Sequence, residues 1–246
     1  MISELKIGER LDDLERDGLR LIQHPGRFCY GVDAVLLSWF ARAKEGEKVL
    51  DLCTGTGVVP ILMTAKTKGE HFTGLEIQAE VADMAKRSVA LNRLEEKVTI
   101  VCGDLKNAKD LFGKSAFDAV TVNPPYMAGG SGLVGGDYSK AVSRHEILCS
   151  LEDVIREGVQ VLVPGGRMYM VHRPYRLADI ICLMKKYRMS PRRLCMVYPK
   201  VSEEANLVLV EGIRGANTQI RVEAPVVLFE EDGQETDLIK KIHGRL

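Results

Sequence analysis

Four consecutive residues, Asn123, Pro124, Pro125 and Tyr126, follow the apolar run FDAVTV and have the chemistry to hold a planar amine. The prolines keep the chain extended and remove two backbone N–H groups, so nearby carbonyls can point outward as acceptors. The Asn123 side-chain oxygen and the Pro124 carbonyl would accept from an NH₂ group, while the Tyr126 ring stacks on a flat substrate. The lone pair of such an amine is delocalised, and two acceptors would orient it for attack. This motif predicts catalysis by positioning and electrostatics; the alternative is a Pro-Pro turn that only ends a strand.

A glycine-containing loop, DLCTGTG at residues 51–57, joins a strand-like run to a helix-length segment. Glycines let the backbone approach a ligand closely, and the helix N-terminus supplies unpaired N–H groups. A dinucleotide fingerprint needs another glycine or alanine where this chain has Pro60. Asp51 would also repel a pyrophosphate, whereas it could meet an ammonium group. The loop therefore favours a cofactor that carries an amino group and a sulfonium but no phosphate, S-adenosylmethionine.

Two further acids end the next strand-like runs. Glu76 lies 19 residues after Gly57, near the spacing at which a carboxylate accepts hydrogen bonds from ribose hydroxyls. Asp104 follows the run KVTIVCG and could accept from the exocyclic amine of an adenine. Either acid could instead be a helix N-cap. Acids after three consecutive strands beside one glycine loop favour cofactor binding.

The elements that must position these residues alternate between strand-like and helix-length segments from about residue 45. This alternation predicts an α/β, Rossmann-like fold, with a seven-stranded, mostly parallel sheet flanked by helices. A long helix is predicted over 145–163, followed by a turn at 164–166. The last apolar runs, LCMVYPK, NLVLVEGIR and QIRVEAPVVLFEE, predict an antiparallel C-terminal hairpin at the sheet edge. Residues 1–44 form a short N-terminal extension with a helix.

The length of 246 residues suits one large domain or one domain with an elaboration, and we expect a single domain, 1–246, with a core from 45 to 246. Hydrophobic residues make up 46% and charged residues 28%, which is typical of a globular protein and excludes wholesale disorder. We find no apolar run long enough for a membrane span and no signal peptide. Six scattered cysteines without a CxxC pair predict free thiols, no metal site and a cytoplasmic location.

The formal net charge is zero but unevenly distributed. Residues 165–200 contain nine basic residues and one acid, whereas 203–237 contain nine acids and two arginines. The basic stretch could bind phosphates, which makes Arg173, Arg192 and Arg193 candidate substrate contacts. The alternative is a solvated surface that pairs with the acidic segment.

Together these residues resemble the class I S-adenosylmethionine-dependent methyltransferases of the amino-methylating type. The likeness covers roughly residues 25–230 and is closest to the bacterial tRNA adenosine N6-methyltransferases that modify the adenosine beside the anticodon of a valine tRNA. Three further features carry the narrower likeness: the segment RFCYGVDAVLL at 27–37, RHE at 144–146, and the stretch from YPK at 198–200 to Phe229. The first is similar to that family's cofactor-covering motif, although Val32 stands where a threonine is more usual.

The resemblance implies S-adenosylmethionine as cofactor and RNA, most simply tRNA, as partner. It implies catalysis by residues 123–126 and cofactor contacts from Tyr30, Gly31, Asp33, Asp51, Thr54, Gly55, Gly57, Glu76, Ile77, Asp104, Leu105 and Asn123. The glycine-rich segment 127–143 directly follows the motif and would be a lid over the target base; the alternative is a disordered insertion. Tyr126, Arg144 and His145 would contact the substrate together with Arg173, Arg192 and Arg193, with a helix cap as the alternative role of His145.

Other substrates remain open at this point, because an Asn-Pro-Pro-Tyr motif serves any planar NH₂ group. An rRNA base, DNA adenine and a protein glutamine are the enzymatic alternatives. A non-catalytic RNA-binding protein that retains a cofactor pocket is the alternative of another class, although an intact motif argues against it. The oligomeric state is also open.

Overall fold

A computed structural model describes residues 5–26, 29–125, 149–217 and 219–246. Within these residues, nine strands form one sheet with the order β10-β8-β9-β7-β6-β3-β4-β5, and β11 pairs with β8. A separate hairpin is formed by the first two strands. The strands are β1 Arg10–Asp13, β2 Arg20–Gln23, β3 Lys48–Leu52, β4 His71–Glu76, β5 Val98–Cys102, β6 Phe117–Val122, β7 Leu162–His172, β8 Met189–Tyr198, β9 Leu207–Arg214, β10 Arg221–Val222 and β11 Val226–Val227.

The predicted α/β fold is confirmed. Strands β5, β4, β3, β6 and β7 are parallel neighbours, and β9 and β8 add an antiparallel hairpin at the edge. The seven long strands match the expected number. The sheet gains two strands of two residues, β10 and β11, which run parallel to β8 and therefore do not extend the antiparallel hairpin.

Helices cover both faces of the sheet. They are α1 Val32–Phe40, α2 Val58–Lys66, α3 Ala79–Leu91, α4 Ala108–Phe112, α5 Leu151–Val161, α6 Leu177–Lys186 and α7 Asp237–His243, with 3₁₀ turns at Leu105–Asn107 and Pro174–Arg176. One hydrophobic core lies between the sheet and α1, α2, α3 and α7. A second core lies between the opposite face and α4, α5 and α6.

The helix predicted over 145–163 is shorter within the described part of the chain. It begins at Leu151 because Ser150 and Asp153 form a reciprocal capping box, and it ends at Val161. Leu162 already pairs with Phe117 in the sheet, and the predicted turn at 164–166 falls where the register between β7 and β6 shifts. The local apolar spacing continued past Val161, but pairing with β6 decides the end of the helix.

The order of the parallel strands reverses between β3 and β6, because the chain builds outward from β3 in one direction and from β6 in the other. Ligands of open α/β sheets bind at the carboxyl ends of the strands beside such a switch point. Register places Leu52 beside both Leu75 and Val122, so β3, β4 and β6 end at the same level. The loops that follow these three strands carry the candidate site.

The hairpin of β1 and β2 docks on α3, outside the nine-stranded sheet. Ile22 N donates to Ser88 Oγ over 2.9 Å, and Asn92 bonds both backbone groups of Arg20. Ile22 also packs in a small apolar cluster with residues of α3. These contacts hold the end of β2 next to the carboxyl edge of the sheet.

Candidate active site

Asp51 is the most deeply buried acid of the candidate site, with 2% of its surface exposed near the end of β3. Its Oδ1 accepts a hydrogen bond of 2.6 Å from Thr121 Oγ1 on the neighbouring β6. Within the described residues, neither its Oδ2 nor the buried Thr54 Oγ1 in the following loop makes a hydrogen bond, although the Thr54 hydroxyl is close enough to lower the pKa of Asp51. Buried polar atoms are rarely left unpaired, so these two oxygens are candidates for contact with a ligand.

Burial raises the pKa of Asp51 to about 7, against the lowering effects of the Thr121 and Thr54 hydroxyls. The neighbouring carboxylate of Glu76 acts in the same direction as burial. Without a ligand, the Asp51 carboxyl therefore titrates near neutral pH. A cationic group placed against it would favour the ionised form.

The loop after β3 has a backbone that glycine makes possible. Gly55 and Gly57 have φ of 57° and 86°, in the left-handed region, and a Cβ on Gly57 would lie 3.3 Å from the Ala85 Cβ of α3. Gly57 directly precedes α2, so the loop delivers the unpaired N–H groups of that helix to the edge of the sheet. The loop thus forms a cradle with little side-chain bulk.

Glu76 ends β4 and holds this loop in place. Its Oε2 accepts from Gly55 N over 3.0 Å and its Oε1 accepts from Gln78 N over 2.9 Å. Oε1 also accepts from Gln78 Nε2 over 3.3 Å, so among the described contacts Oε2 is the oxygen that keeps an acceptor position for a ribose hydroxyl. Ile77 follows directly and is 37% exposed, as a side chain against a planar ring system would need to be before the ligand binds.

Asp104 follows β5 and caps the 3₁₀ turn that begins at Leu105. Its Oδ1 accepts from Lys106 N over 2.9 Å, which is the capping role anticipated for this acid. The side chain remains half-buried, and Leu105 is buried beside it. Capping uses one oxygen and is compatible with a second acceptor role.

Asn123 is the first residue after β6, and the next residue, Pro124, is buried. Since Val122 pairs with Leu52 on one side and Met170 on the other, Asn123 and Pro125 emerge between the ends of β3 and β7. The structure therefore brings the start of the predicted catalytic motif to the same edge as Asp51 and Glu76. Tyr126, the segment 127–143 predicted as a lid, Arg144 and His145 lie outside the described residues.

The residues predicted to cover the cofactor, Tyr30, Gly31 and Asp33, lie at the start of α1. Asp33 Oδ1 accepts from Ala34 N within the first turn of the helix. Tyr30 and Gly31 line a cavity of about 280 Å³ with Val35 and Phe229. Burial raises the pKa of Tyr30, so this phenol stays neutral. One side chain, which no sequence motif singled out, connects these residues to the glycine loop.

That side chain is Gln23, which is fully buried at the end of β2. Gln23 Nε2 donates to Thr56 Oγ1 over 2.6 Å, and Gln23 Oε1 accepts from Tyr30 N over 3.3 Å. One amide thus ties the glycine loop to the segment that leads into α1. A polar residue ending the apolar run LRLIQ was the only sequence signal for it.

The structure largely agrees with the second interpretation of the basic stretch, in which it pairs with the acidic segment. Arg193 is only 8% exposed, and its guanidinium pairs with Glu211 and Glu223 of the acidic segment and stacks 4.2 Å from the Phe40 ring centroid. The expectation that Arg193 binds substrate is therefore wrong, because its donors are directed into the fold. Arg192 is exposed, and Arg173 is half-buried with Nη1 donating to Asn206 O over 3.1 Å.

Substituting Arg193 by alanine is expected to lower the free energy of unfolding by about 3 kcal/mol, because Glu211 would be left buried without its partner. Arg192→Ala, one position away and exposed, is the matched control and should change it by less than about 0.5 kcal/mol. Urea denaturation measures both. Equal stability of the two variants, with RNA binding lost only in Arg193→Ala, would restore the original expectation.

Among the residues the structure describes, no group of three or more His, Cys, Asp and Glu side chains could hold a metal ion. Within the same residues, no helix is both long and apolar enough to cross a membrane.

The methyltransferase small domain family model matches residues 18–186. A Porphyromonas gingivalis protein named tRNA1(Val) (adenine(37)-N6)-methyltransferase is 29% identical over 196 residues, 77% of this chain and 76% of that protein. An Aeromonas hydrophila protein of the same name is 24% identical over 84% of this chain and 85% of its own.

Solved structures share the fold. A predicted O-methyltransferase of Agrobacterium tumefaciens superposes with a TM-score of 0.68 at 22% identity, covering 86% of this chain and 94% of that one. TYW2 of M. jannaschii, solved in complex with AdoMet, gives a TM-score of 0.57 at 13% identity, covering 85% and 86%.

Proposed function

The chain belongs to the methyltransferase small domain family, and from this premise we propose that it transfers a methyl group from S-adenosylmethionine to N6 of an adenine in tRNA. The observation that carries the proposal is the shared edge of β3 and β6. Within the described residues, Asp51 Oδ2 and Thr54 Oγ1 make no hydrogen bond, and they lie there beside the end of β6, which leads directly into Asn123 and the two prolines. One side of this edge suits a cationic cofactor and the other suits a planar amine.

The donor and acceptor set fits S-adenosylmethionine. Asp51 Oδ2 would accept from the ammonium group, and the backbone of residues 54–57 would receive the methionine portion. Glu76 would bind the ribose hydroxyls and Asp104 the adenine amine, with Ile77 and Leu105 against the ring. Tyr30, Gly31 and Asp33 would cover the site from the start of α1. When bound, the cofactor supplies an electrophilic methyl group.

The residues after β6 act on the nucleophile. The Asn123 Oδ1 and the Pro124 carbonyl accept from the two N6 hydrogens, which draws the nitrogen toward tetrahedral geometry and frees its lone pair. Pro124 and Pro125 fix the extended backbone that this requires. Tyr126 stacks on the base after it leaves the RNA stack. Positioning therefore contributes most of the rate enhancement, and the mechanism needs no strong base.

The names of the relatives support tRNA as substrate and adenine 37 as target. An unmodified transcript of valine tRNA is therefore the first substrate to test, with labelled S-adenosylmethionine. Incorporation into the transcript with adenosine 37, and none when guanosine replaces it, is the expected result. Equal incorporation into both transcripts would refute the assigned position.

Gln23 offers a test of the cofactor site that is independent of the RNA. We further propose that residues 1–44 are a cofactor-covering extension of one domain that spans 1–246, with Gln23 as a positioning residue. Gln23→Leu removes two buried hydrogen bonds to Thr56 and Tyr30 and should weaken binding of S-adenosylhomocysteine about tenfold, measured by calorimetry. At saturating cofactor, kcat should be retained while KM for the cofactor rises.

Asn92→Ala is the matched control for that variant. It removes hydrogen bonds of 2.9 and 2.6 Å that hold the same hairpin on α3, away from the glycine loop. It should lower the melting temperature without changing cofactor affinity. Binding by Gln23→Leu within twofold of the unmodified protein would show that the hairpin has no role in the cofactor site.

A further inference from the structure

Two of the six free cysteines lie together beside the glycine loop. Cys53 is the residue between the end of β3 and Thr54, and Cys149 lies just before Ser150, the cap of α5. Their thiols are within hydrogen-bonding contact, and both side chains pack against the second core. Neither cysteine takes part in the proposed methyl transfer, so the pair is a feature of this edge that the proposed function does not use.

The path of the chain explains why these two thiols meet. Helix α5 ends at Val161, and the next residue, Leu162, pairs with Phe117 at the start of β6. The first turn of α5 therefore lies toward the opposite, carboxyl edge of the sheet, where β3 also ends. The contact between Cys53 and Cys149 thus follows from the course of α5 across the sheet.

The surroundings of the two sulfurs give them different roles. The hydrogen bond from the Cys53 thiol lowers the pKa of the partly exposed Cys149, against the effect of burial. The same hydrogen bond, together with burial, raises the pKa of Cys53 well above its ordinary value. Asp153 and Asp104 raise the pKa of Cys149 by smaller amounts, and Lys106 lowers it. Since the thiolate is the nucleophile, Cys149 is the sulfur that reacts first with an oxidant, and Cys53 lies ready to react second.

We propose that Cys53 and Cys149 are a redox modification site, which hydrogen peroxide converts into a reversible disulfide that weakens ligand binding by the glycine loop. The Cys149 thiolate attacks one peroxide oxygen and becomes a sulfenic acid, while the other oxygen leaves as hydroxide and takes up a proton. The Cys53 sulfur then attacks the sulfenic sulfur, and its proton leaves with the hydroxyl group as a second water. A dithiol returns the two electrons and restores both thiols.

The disulfide is expected to change the glycine loop, because an S–S bond of about 2.05 Å brings the sulfurs closer together than a hydrogen bond does. The start of α5 is held by its capping box, and the end of β3 is held by pairing with β4 and β6. The adjustment therefore falls on Cys53 and on Thr54, whose N–H donates to Leu75 O over 3.0 Å. The consequence for the cofactor rests on the proposed function, whereas formation of the disulfide does not.

Peptide mapping of the full chain after treatment with hydrogen peroxide tests the modification site. The expected product of the unmodified protein is a pair of peptides linked through Cys53 and Cys149, which separates when dithiothreitol is added. Cys149→Ser should give no such pair. Cys182→Ser is the matched control, because Cys182 is exposed on α6 and its loss should leave the linked pair unchanged. Recovery of Cys53 and Cys149 as unlinked thiols or as sulfinic acids would overturn the inference.

Calorimetry with S-adenosylhomocysteine, after removal of the peroxide, measures the consequence for the cofactor site. Oxidation should weaken binding to the unmodified protein and to Cys182→Ser about tenfold, the effect of one displaced hydrogen bond, and dithiothreitol should restore it. Cys149→Ser should bind equally before and after treatment. Linked peptides with unchanged affinity would overturn the effect on the glycine loop. Failure of the reduced protein to bind S-adenosylhomocysteine would instead refute the proposed function, and peptide mapping would still decide whether the two thiols pair.

Discussion

Replacement of Asn123 by alanine is expected to reduce methyl transfer to tRNA by on the order of 100-fold or more, with cofactor affinity nearly unchanged. Asn123 starts the segment after β6 and lies at the edge where Asp51 and the glycine loop meet. Without its amide oxygen, one N6 hydrogen loses its acceptor and the lone pair is no longer oriented. Single-turnover rates with saturating cofactor and tRNA measure the effect on chemistry alone.

Binding of S-adenosylhomocysteine to the same variant is the control for folding and for the cofactor site. A variant that binds the cofactor product normally but does not transfer the methyl group supports a positioning role. Methyl transfer by the variant at more than about one tenth of the normal rate would contradict the mechanism, because the mechanism attributes most of the rate enhancement to positioning of the amine by Asn123.

The second large effect is expected for Asp51→Asn, which should change both the affinity for S-adenosylmethionine and its dependence on pH. In the unmodified protein, affinity for S-adenosylmethionine should fall as pH drops below about 7, because the pKa of the buried Asp51 carboxyl is raised to that value and a proton then competes with the ammonium group. The fall approaches tenfold per pH unit. Asp51→Asn should bind on the order of 10- to 100-fold more weakly at pH 8 and lack this dependence.

The stability of the free protein provides the control for this variant. The folded state keeps the Asp51 proton up to about pH 7, whereas the unfolded chain releases it at the ordinary aspartate pKa. The free energy of unfolding therefore falls as pH rises through that interval. Asp51→Asn removes the effect and should be the more stable protein above pH 7. A variant that is less stable there, or an affinity that does not change with pH, would contradict the assigned role.

Much of the site could be predicted because its residues lie at the ends of strands. Asp51, Glu76, Asp104 and Asn123 each follow an apolar run, and parallel strands bring such positions to one edge whatever the details of packing. Alternation of strands and helices is a local signal, so it also predicted the fold class.

The features of the fold and site that the sequence did not predict depend on contacts between distant segments. Arg193 and Arg192 are indistinguishable in a basic stretch, and only pairing with Glu211, 18 residues later, shows that one of them is buried. Gln23 gains its role from Thr56, 33 residues away. The end of α5 at Val161 was hidden because Leu162 continues the apolar pattern but pairs with β6. Neither composition nor spacing encodes these pairings.

The most direct test of the central claim is methyl transfer from labelled S-adenosylmethionine to unmodified tRNA, rRNA, DNA and a protein extract in parallel, followed by nucleoside and amino-acid analysis. The account predicts label in tRNA alone, recovered as N6-methyladenosine. Label in protein glutamine, in another base or in DNA would contradict the substrate assignment, and absence of label from every substrate despite cofactor binding would contradict the assigned activity.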